Sequence, residues 1–234
     1  MIRVPRFIVI SGGEAGAFHV RQLRRAVAAG RLETGRIVVV DRDPACRAAA
    51  QAAGDPLVSF AAAEWSEWLA SHLGAADPAD HLVPYHWAPH LLLGWLEEEL
   101  RRVGAETTRG GALAARGLPF EATTAAGDRA LSYASWTCPP TCIEPAVCPH
   151  TRGAKDWSLA ADLEAPAGDG AAPVVFRCLH LVNGVGTIPV RDVLSARDRL
   201  LGESTRRRRY LIATSSHCHA LATRLEVGPV SAAG

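Results

Sequence analysis

The sequence predicts an α/β protein: a doubly wound, mostly parallel six-stranded sheet interrupted by an irregular, cysteine-rich insertion. Three observations carry this reading. Short β-branched apolar runs recur, each followed by a stretch with helical spacing, which is the pattern of strand–helix–strand units. The runs are apolar throughout rather than alternating, as expected of strands buried on both faces. The alternation stops between residues 104 and 170, where Gly, Pro, Thr and Ala dominate and where Cys138, Cys142 and Cys148 fall close together.

The first strand is Arg6–Ile10, whose run Phe7-Ile8-Val9-Ile10 ends at Ser11-Gly12-Gly13. Residues 15–29 follow with Val20, Leu23 and Val27 on one helical face, and Gly30 is the expected stop. Ile37-Val38-Val39-Val40 is a second strand ending at Asp41, and residues 44–53 are helical up to Gly54. Residues 56–60 form a weaker third strand and 65–73 a short helix. Residues 81–84 form a fourth strand, and 89–103 a long helix with Leu92, Trp95, Leu96 and Leu100 inward. Within the irregular segment only 158–163 has helical spacing. Strand character returns at 174–179, is broken by Gly184 and Gly186, and gives way to a helix over 190–201. A sixth strand covers 209–214, a last helix is expected to begin over 219–225, and the tail past Gly228 is loose. The organisation expected is an N-terminal half (1–103), the cysteine-rich insertion (104–170), and a C-terminal half (171–234) completing the same sheet.

Composition narrows the function classes. The 234 residues are 48% apolar and 21% charged, the mix of a globular protein. A net charge of +1 supplies no global field toward nucleic acid or anionic membrane. No apolar run approaches the ~20 residues of a membrane span. The start, Met1-Ile2-Arg3, leads straight into a strand without a signal pattern, so a cytoplasmic location is expected. There, clustered cysteines bind metal or do redox work more often than they form disulfides.

The turn after the first strand reads Ser11-Gly12-Gly13-Glu14-Ala15-Gly16. Against G-x-G-x-x-G, Gly13 and Gly16 take the second and third glycine positions and Ser11 the first. A glycine lets the backbone approach a pyrophosphate, and the helix N-terminus beyond it offers N–H groups. Asp41 stands at the end of the second strand, where a carboxylate can accept ribose hydroxyls. In these residues, over about the first forty of the chain, the sequence resembles the NAD(P)-binding Rossmann superfamily. The resemblance implies a Rossmann-like sheet, a bound nucleotide of the NAD(P) type, a phosphate turn of Gly12, Gly13 and Gly16, and a ribose contact at Asp41. Arg42 would instead favour a 2′-phosphate. A tight strand-to-helix turn with no ligand is the plainer alternative.

Cys138, Cys142 and Cys148 have the spacing C-x3-C-x5-C, and Cys138 and Cys148 each precede proline. Zinc ribbons favour C-x2-C pairs, whereas iron–sulfur ligands follow more varied spacings with proline neighbours. The expected metal set is therefore Cys138, Cys142, Cys148 and Cys218, around an iron–sulfur cluster or, alternatively, zinc. Cys218 is chosen because it follows the sixth strand at a predicted helix N-terminus, which favours thiolate. Cys178, His180, His150, His217 and His219 are the alternatives, and small buried core residues are the plain reading of Cys178 and Cys218. Cys46 is read as packing.

His86 and His90 follow the fourth strand, and His86 is the candidate acid or base. Asn183-Gly184-Val185-Gly186 is a second glycine turn. Ser215 and Ser216 beside His217 lack a nucleophile elbow. Arg206–Arg209 reads as a solvated face, and Trp65, Trp68, Trp87 and Trp95 as core. The function expected is redox chemistry or electron transfer, with a small-molecule nucleotide or a redox protein as partner. A non-enzymatic accessory or sensor protein with a structural metal is the alternative, and a zinc-dependent hydrolase the third.

Overall fold

The computed structural model describes residues 1–85, 90–110, 113, 115–139, 142–165 and 170–230. In chain order its elements begin β1 (Ile2–Arg3), β2 (Arg6–Ile10), α1 (Glu14–Ala28), β3 (Leu32–Glu33), β4 (Arg36–Asp41), α2 (Arg47–Ala52), β5 (Val58–Ala62), α3 (Trp65–His72) and β6 (His81–Val83). They continue α4 (Leu91–Arg102), β7 (Ala105–Arg109), β8 (Phe120–Thr123), β9 (Arg129–Ser132), α5 (Leu159–Glu164) and β10 (Ala172–Arg177). The last are β11 (Leu179–Val182), β12 (Val185–Pro189), α6 (Val190–Glu203), β13 (Arg208–Ser215) and β14 (His219–Val230). The chain divides into an N-terminal unit (Met1–Tyr85, Pro139–Ile143 and Leu179–Asp192) and a C-terminal unit (His86–Cys138, Glu144–Cys178 and Val193–Gly234). The protein is a mixed α/β structure whose sheets combine parallel and antiparallel strands.

The main sheet of the N-terminal unit runs β5-β4-β2-β6-β12-β11. Its first four strands are mutually parallel, with Ile8 opposite both Val38 and Leu82, and Val38 opposite Ser59. Phe7, Ile8 and Val9 are fully buried because both faces of this central strand are covered. Val20 and Leu23 of α1 pack on Phe7, Val9, Ile37 and Val39, as their helical spacing predicts.

Past β6 the sheet turns antiparallel, which corrects the expected six-stranded parallel sheet. The expected fifth strand splits into β10 and β11, and β11 folds back on β12 through Asn183-Gly184. Both turn residues have positive φ (50° and 77°), the conformation of a type I′ hairpin turn. The predicted second glycine turn is therefore a hairpin, and β12 closes on β6 with Ile188 opposite Leu82. The expected sixth strand is absent from this sheet too: β13 pairs with β10 in the other unit, Val174 opposite Ile212.

The C-terminal unit is built on a second sheet, β10-β13-β14-β9-β8, with β7 also paired to β14. Three of its strands, β7, β8 and β9, lie inside the segment expected to be irregular. The helix expected over 219–225 is the first half of the long strand β14. An eight-pair ladder with β13, from Ser215–Ala220 to Arg208–Val227, overrides the local helical spacing. One sheet face, with Leu131, Leu211, Ala213 and Ala222, is covered by Leu159 and Leu163 of α5. The other receives α4. There His90 Nε2 lies 2.9 Å from Thr214 Oγ1, and Arg109 of β7 clasps Glu97 with Nη2 at 2.6 Å. Trp68 and Trp95 are core as expected, Trp65 is half-buried rather than core, and Trp87 lies outside the described residues.

His90 is 3% exposed, and burial, aided by the nearby Arg109 charge, pushes its pKa from 6.5 down to about 3. Below pH 6.5 the unfolded chain binds a proton that the folded chain refuses, so stability falls as pH drops from 6.5 toward 3 and is unaffected above that window. His81 is shifted in the same direction, chiefly by burial. Urea unfolding of the wild type should lose up to about 1.4 kcal/mol per pH unit to His90 within this window. His90→Gln should flatten that loss between pH 6.5 and 5, before the carboxylates titrate.

Candidate functional site

The glycine turn connects β2 to α1, and each of its residues has a separate physical task. Ser11 occupies the first motif position with φ +85°, a left-handed conformation that normally calls for glycine. Its N–H donates to Val40 O at 3.0 Å, and its hydroxyl lies 3.4 Å from the Gly13 N–H. A Cβ on Gly12 would come within 2.2 Å of Cys46 Sγ, so Gly12 makes room for the start of α2. A Cβ on Gly16 would stand 1.7 Å from the Ser11 carbonyl oxygen, so this glycine permits the close crossing of helix and strand. Gly13 differs from both: among the described residues, a Cβ there would meet only Ser11 Oγ, at 3.7 Å. Gly13 is also the N-cap of α1, whose first N–H groups point out past it.

Asp41, expected to hold a ribose, is buried and bound to backbone. Its Oδ2 accepts the Gly12 N–H at 2.6 Å and its Oδ1 the Asp43 N–H at 3.0 Å. The carboxylate thus ties the glycine turn to the end of β4. Arg42 pairs with Glu64 at 3.4 Å in an exposed contact of little energetic weight. Cys46, read as packing, is buried as the N-cap of α2 against Gly12.

None of the six cysteines is in a disulfide. Among the described residues, no group of three or more His, Cys, Asp or Glu is arranged to hold a metal ion. Cys142 belongs to the N-terminal unit, where its N–H donates to Pro139 O at 2.9 Å. Cys138 and Cys148 belong to the C-terminal unit. Residues 146–155 fold into a small hairpin with a Val147–Ala154 bridge, closed by Cys148 N–H to Gly153 O at 2.9 Å and by Arg152 N–H to Cys148 O at 2.8 Å. At its tip the Cys148 sulfur accepts hydrogen bonds from the Thr151 and His150 N–H groups and the Thr151 hydroxyl, which, with Lys155 nearby, lower its pKa. The His150 ring stacks on Trp136, centroids 4.5 Å apart. Each of those residues is two positions from a cysteine, so the segment carrying Cys138 lies beside the turn carrying Cys148.

Cys218 sits not at a helix N-terminus but at the tip of the β13–β14 hairpin. The Glu144 carboxylate accepts the His217 N–H at 2.9 Å and the Cys218 N–H at 3.2 Å. Cys178, just past β10, donates its N–H to Ser215 O at 2.8 Å. Burial, with the Glu144 charge adding to it, pushes the Cys178 thiol up to about 12. His219 Nδ1 is 2.9 Å from Ser132 Oγ. His86 lies outside the described residues, and His90 is buried as the N-cap of α4. Glu144 had no motif to mark it. Its only signal is its place between two cysteines in a proline-rich loop.

The model of the AF_1314_C family, described as "Uncharacterized protein, C-terminal domain", matches residues 92–228, more than half of the chain. The chain belongs to the AF_1314_C family. The AF_1314_C match runs from the first turn of α4 to near the end of β14 and includes Cys138, Cys142, Cys148, Cys178, Cys218 and Glu144. Comparison with curated proteins and with solved structures finds no match to the chain.

Two substitutions separate the tasks of the glycines. Gly16→Ala should destabilise the N-terminal unit by about 2–4 kcal/mol, because helix and strand must part. Gly13→Ala should cost under about 1 kcal/mol. Urea denaturation of both variants reads the difference, and equal losses would contradict the assignment.

Proposed function

We propose that this protein binds a nucleotide of the NAD(P) type at the turn between β2 and α1 and uses it in redox chemistry. The single observation that carries the reading is the division of labour in the turn: positive φ at Ser11, close helix–strand crossing at Gly16, and an open face at Gly13 on a helix N-terminus. These are the three tasks of the glycines in a dinucleotide-binding turn. The parallel order β5-β4-β2-β6 supports it, since it matches the first four places, 3-2-1-4, of such a sheet. Gly13 and the first N–H groups of α1 fit a diphosphate, and Asp41 keeps one lone pair on each oxygen for a hydroxyl. When bound, the cofactor supplies hydride transfer. The chain's own part is to hold the phosphates on backbone N–H groups and to hold the turn rigid through Asp41.

Gly13→Val should abolish NAD(P) binding by isothermal titration calorimetry while leaving the unfolding free energy from urea denaturation within about 1 kcal/mol of the wild type. Undiminished binding to that variant would refute the site.

A second reading concerns the C-terminal unit: a thiolate metal centre, iron–sulfur or zinc, with Cys148 as a ligand and Cys138 beside it. The hydrogen-bonded Cys148 turn favours it, because N–H groups aimed at a sulfur stabilise the thiolate that metals require. Elemental analysis and absorption spectra of anaerobically purified protein test this. Bound iron or zinc should fall severalfold in Cys148→Ser and partly in Thr151→Val, and metal content unchanged by both would refute it.

A further inference from the structure

The nucleotide reading leaves unused an aromatic pair at the same edge of the N-terminal sheet. Val9 stands opposite Val83, so continuing the register puts Tyr85 level with Ser11. Ser11 in turn neighbours the end of β4, and Asp41 stands opposite Ala62 of β5. Tyr85, Ser11, Asp41 and Ala62 therefore form one row along the carboxyl edge. The strands β6 and β5 are separated in that row by β2 and β4, three spacings of about 4.8 Å, roughly 14 Å in all. Yet the Trp65 and Tyr85 rings meet, with centroids 4.8 Å apart and planes tilted by 40°.

The two rings, each carried just past the carboxyl end of its strand, therefore close the gap between β6 and β5. One backbone bond ties the Trp65 segment to β4: Ala63 N–H donates to Asp41 O at 3.1 Å. Both rings are half-buried, whereas Trp68, one turn along α3, is 7% exposed and serves the core. The ring contact with Tyr85 and its partial exposure distinguish Trp65 from Trp68.

We infer that the Trp65–Tyr85 pair is the ring-binding wall of the nucleotide site, so that its ligand carries a planar heteroaromatic base and is not a bare phosphate or sugar phosphate. The inference rests on the proposed phosphate turn at Gly13. Its physical content is stacking: an aromatic face offers a base a large, rigid, amphipathic surface at little cost in side-chain entropy.

Calorimetric titrations of the full chain with ADP-ribose and with inorganic pyrophosphate test it in the wild type, Trp65→Ala, Trp65→Phe and Tyr85→Ala. The expected result is a loss of about ten-fold or more in ADP-ribose affinity for the two alanine variants. Trp65→Phe should recover most of it, and pyrophosphate affinity should be the same in all four. Alanine variants that bind ADP-ribose as the wild type does would overturn the aromatic wall and leave the phosphate turn standing. Equal weakening for pyrophosphate would also overturn it, because the rings would then act through the turn. A wild type that binds neither probe would bring down the nucleotide reading and this inference together. The two alanine variants lie on different segments, so either keeps the comparison decisive if the other fails to fold.

Discussion

The N-terminal unit depends on one close backbone approach. At Gly16 the first turn of α1 comes so near the Ser11 carbonyl that no side chain can stand between them. That contact fixes where α1 leaves the sheet, and with it which residues of α1 face Phe7, Val9, Ile37 and Val39. It also obliges Ser11 to adopt a left-handed conformation that costs a non-glycine residue about 1–2 kcal/mol. The surroundings over-determine that conformation. Ser11 N–H is held by Val40, and the next N–H, of Gly12, is held by the buried Asp41 carboxylate. A charge-assisted hydrogen bond of this kind is about twice as strong as a neutral one, and here it joins the ends of two adjacent strands. The same arrangement that positions the helix leaves its N-terminus open beside Gly13.

The C-terminal unit has a different spine. Strand β14 pairs with β13 through eight residues, from Ala220 to Val227, with β9 beside its first half and β7 beside its second. Each sheet face then selects its own cover. Apolar Leu211, Ala213 and Ala222 take α5, while Thr214 and Arg109 meet the polar groups His90 and Glu97 of α4. The Arg109–Glu97 clasp sets α4 against β7, and the His90–Thr214 contact sets its N-terminus against β13.

Much of the first eighty-odd residues was legible in the sequence because local and tertiary preferences agree there. Phe7-Ile8-Val9-Ile10 and Ile37-Val38-Val39-Val40 are long enough, apolar enough and sharply enough bounded that little else could be made of them. Strands β7, β8 and β9 were not legible. Ala105-Glu106-Thr107-Thr108-Arg109 and Phe120-Glu121-Ala122-Thr123 carry weak alternation, and it is their partners on β14 and β9 that make them strands. The segment 219–225 misled for the converse reason: its Leu221 and Leu225 have helical spacing, but the ladder with β13 sets its conformation. Of the site, the glycine positions could be read and the buried partners could not. That Asp41 would serve the Gly12 N–H, and that Glu144 would cap the 217–218 hairpin, depends on contacts 29 and 73 positions apart in the chain. No short-range pattern announces such contacts.

Cys46 gives the glycine turn a chemical vulnerability. Its sulfur fills the space that Gly12 leaves, with the Asp41 β-carbon on the neighbouring side. A sulfenic acid at that position would add an oxygen atom where a single carbon would already collide. The added atom would have to displace either the start of α2 or the backbone between Ser11 and Gly13. Oxidation of Cys46 would therefore loosen the mouth of the β2–α1 crevice.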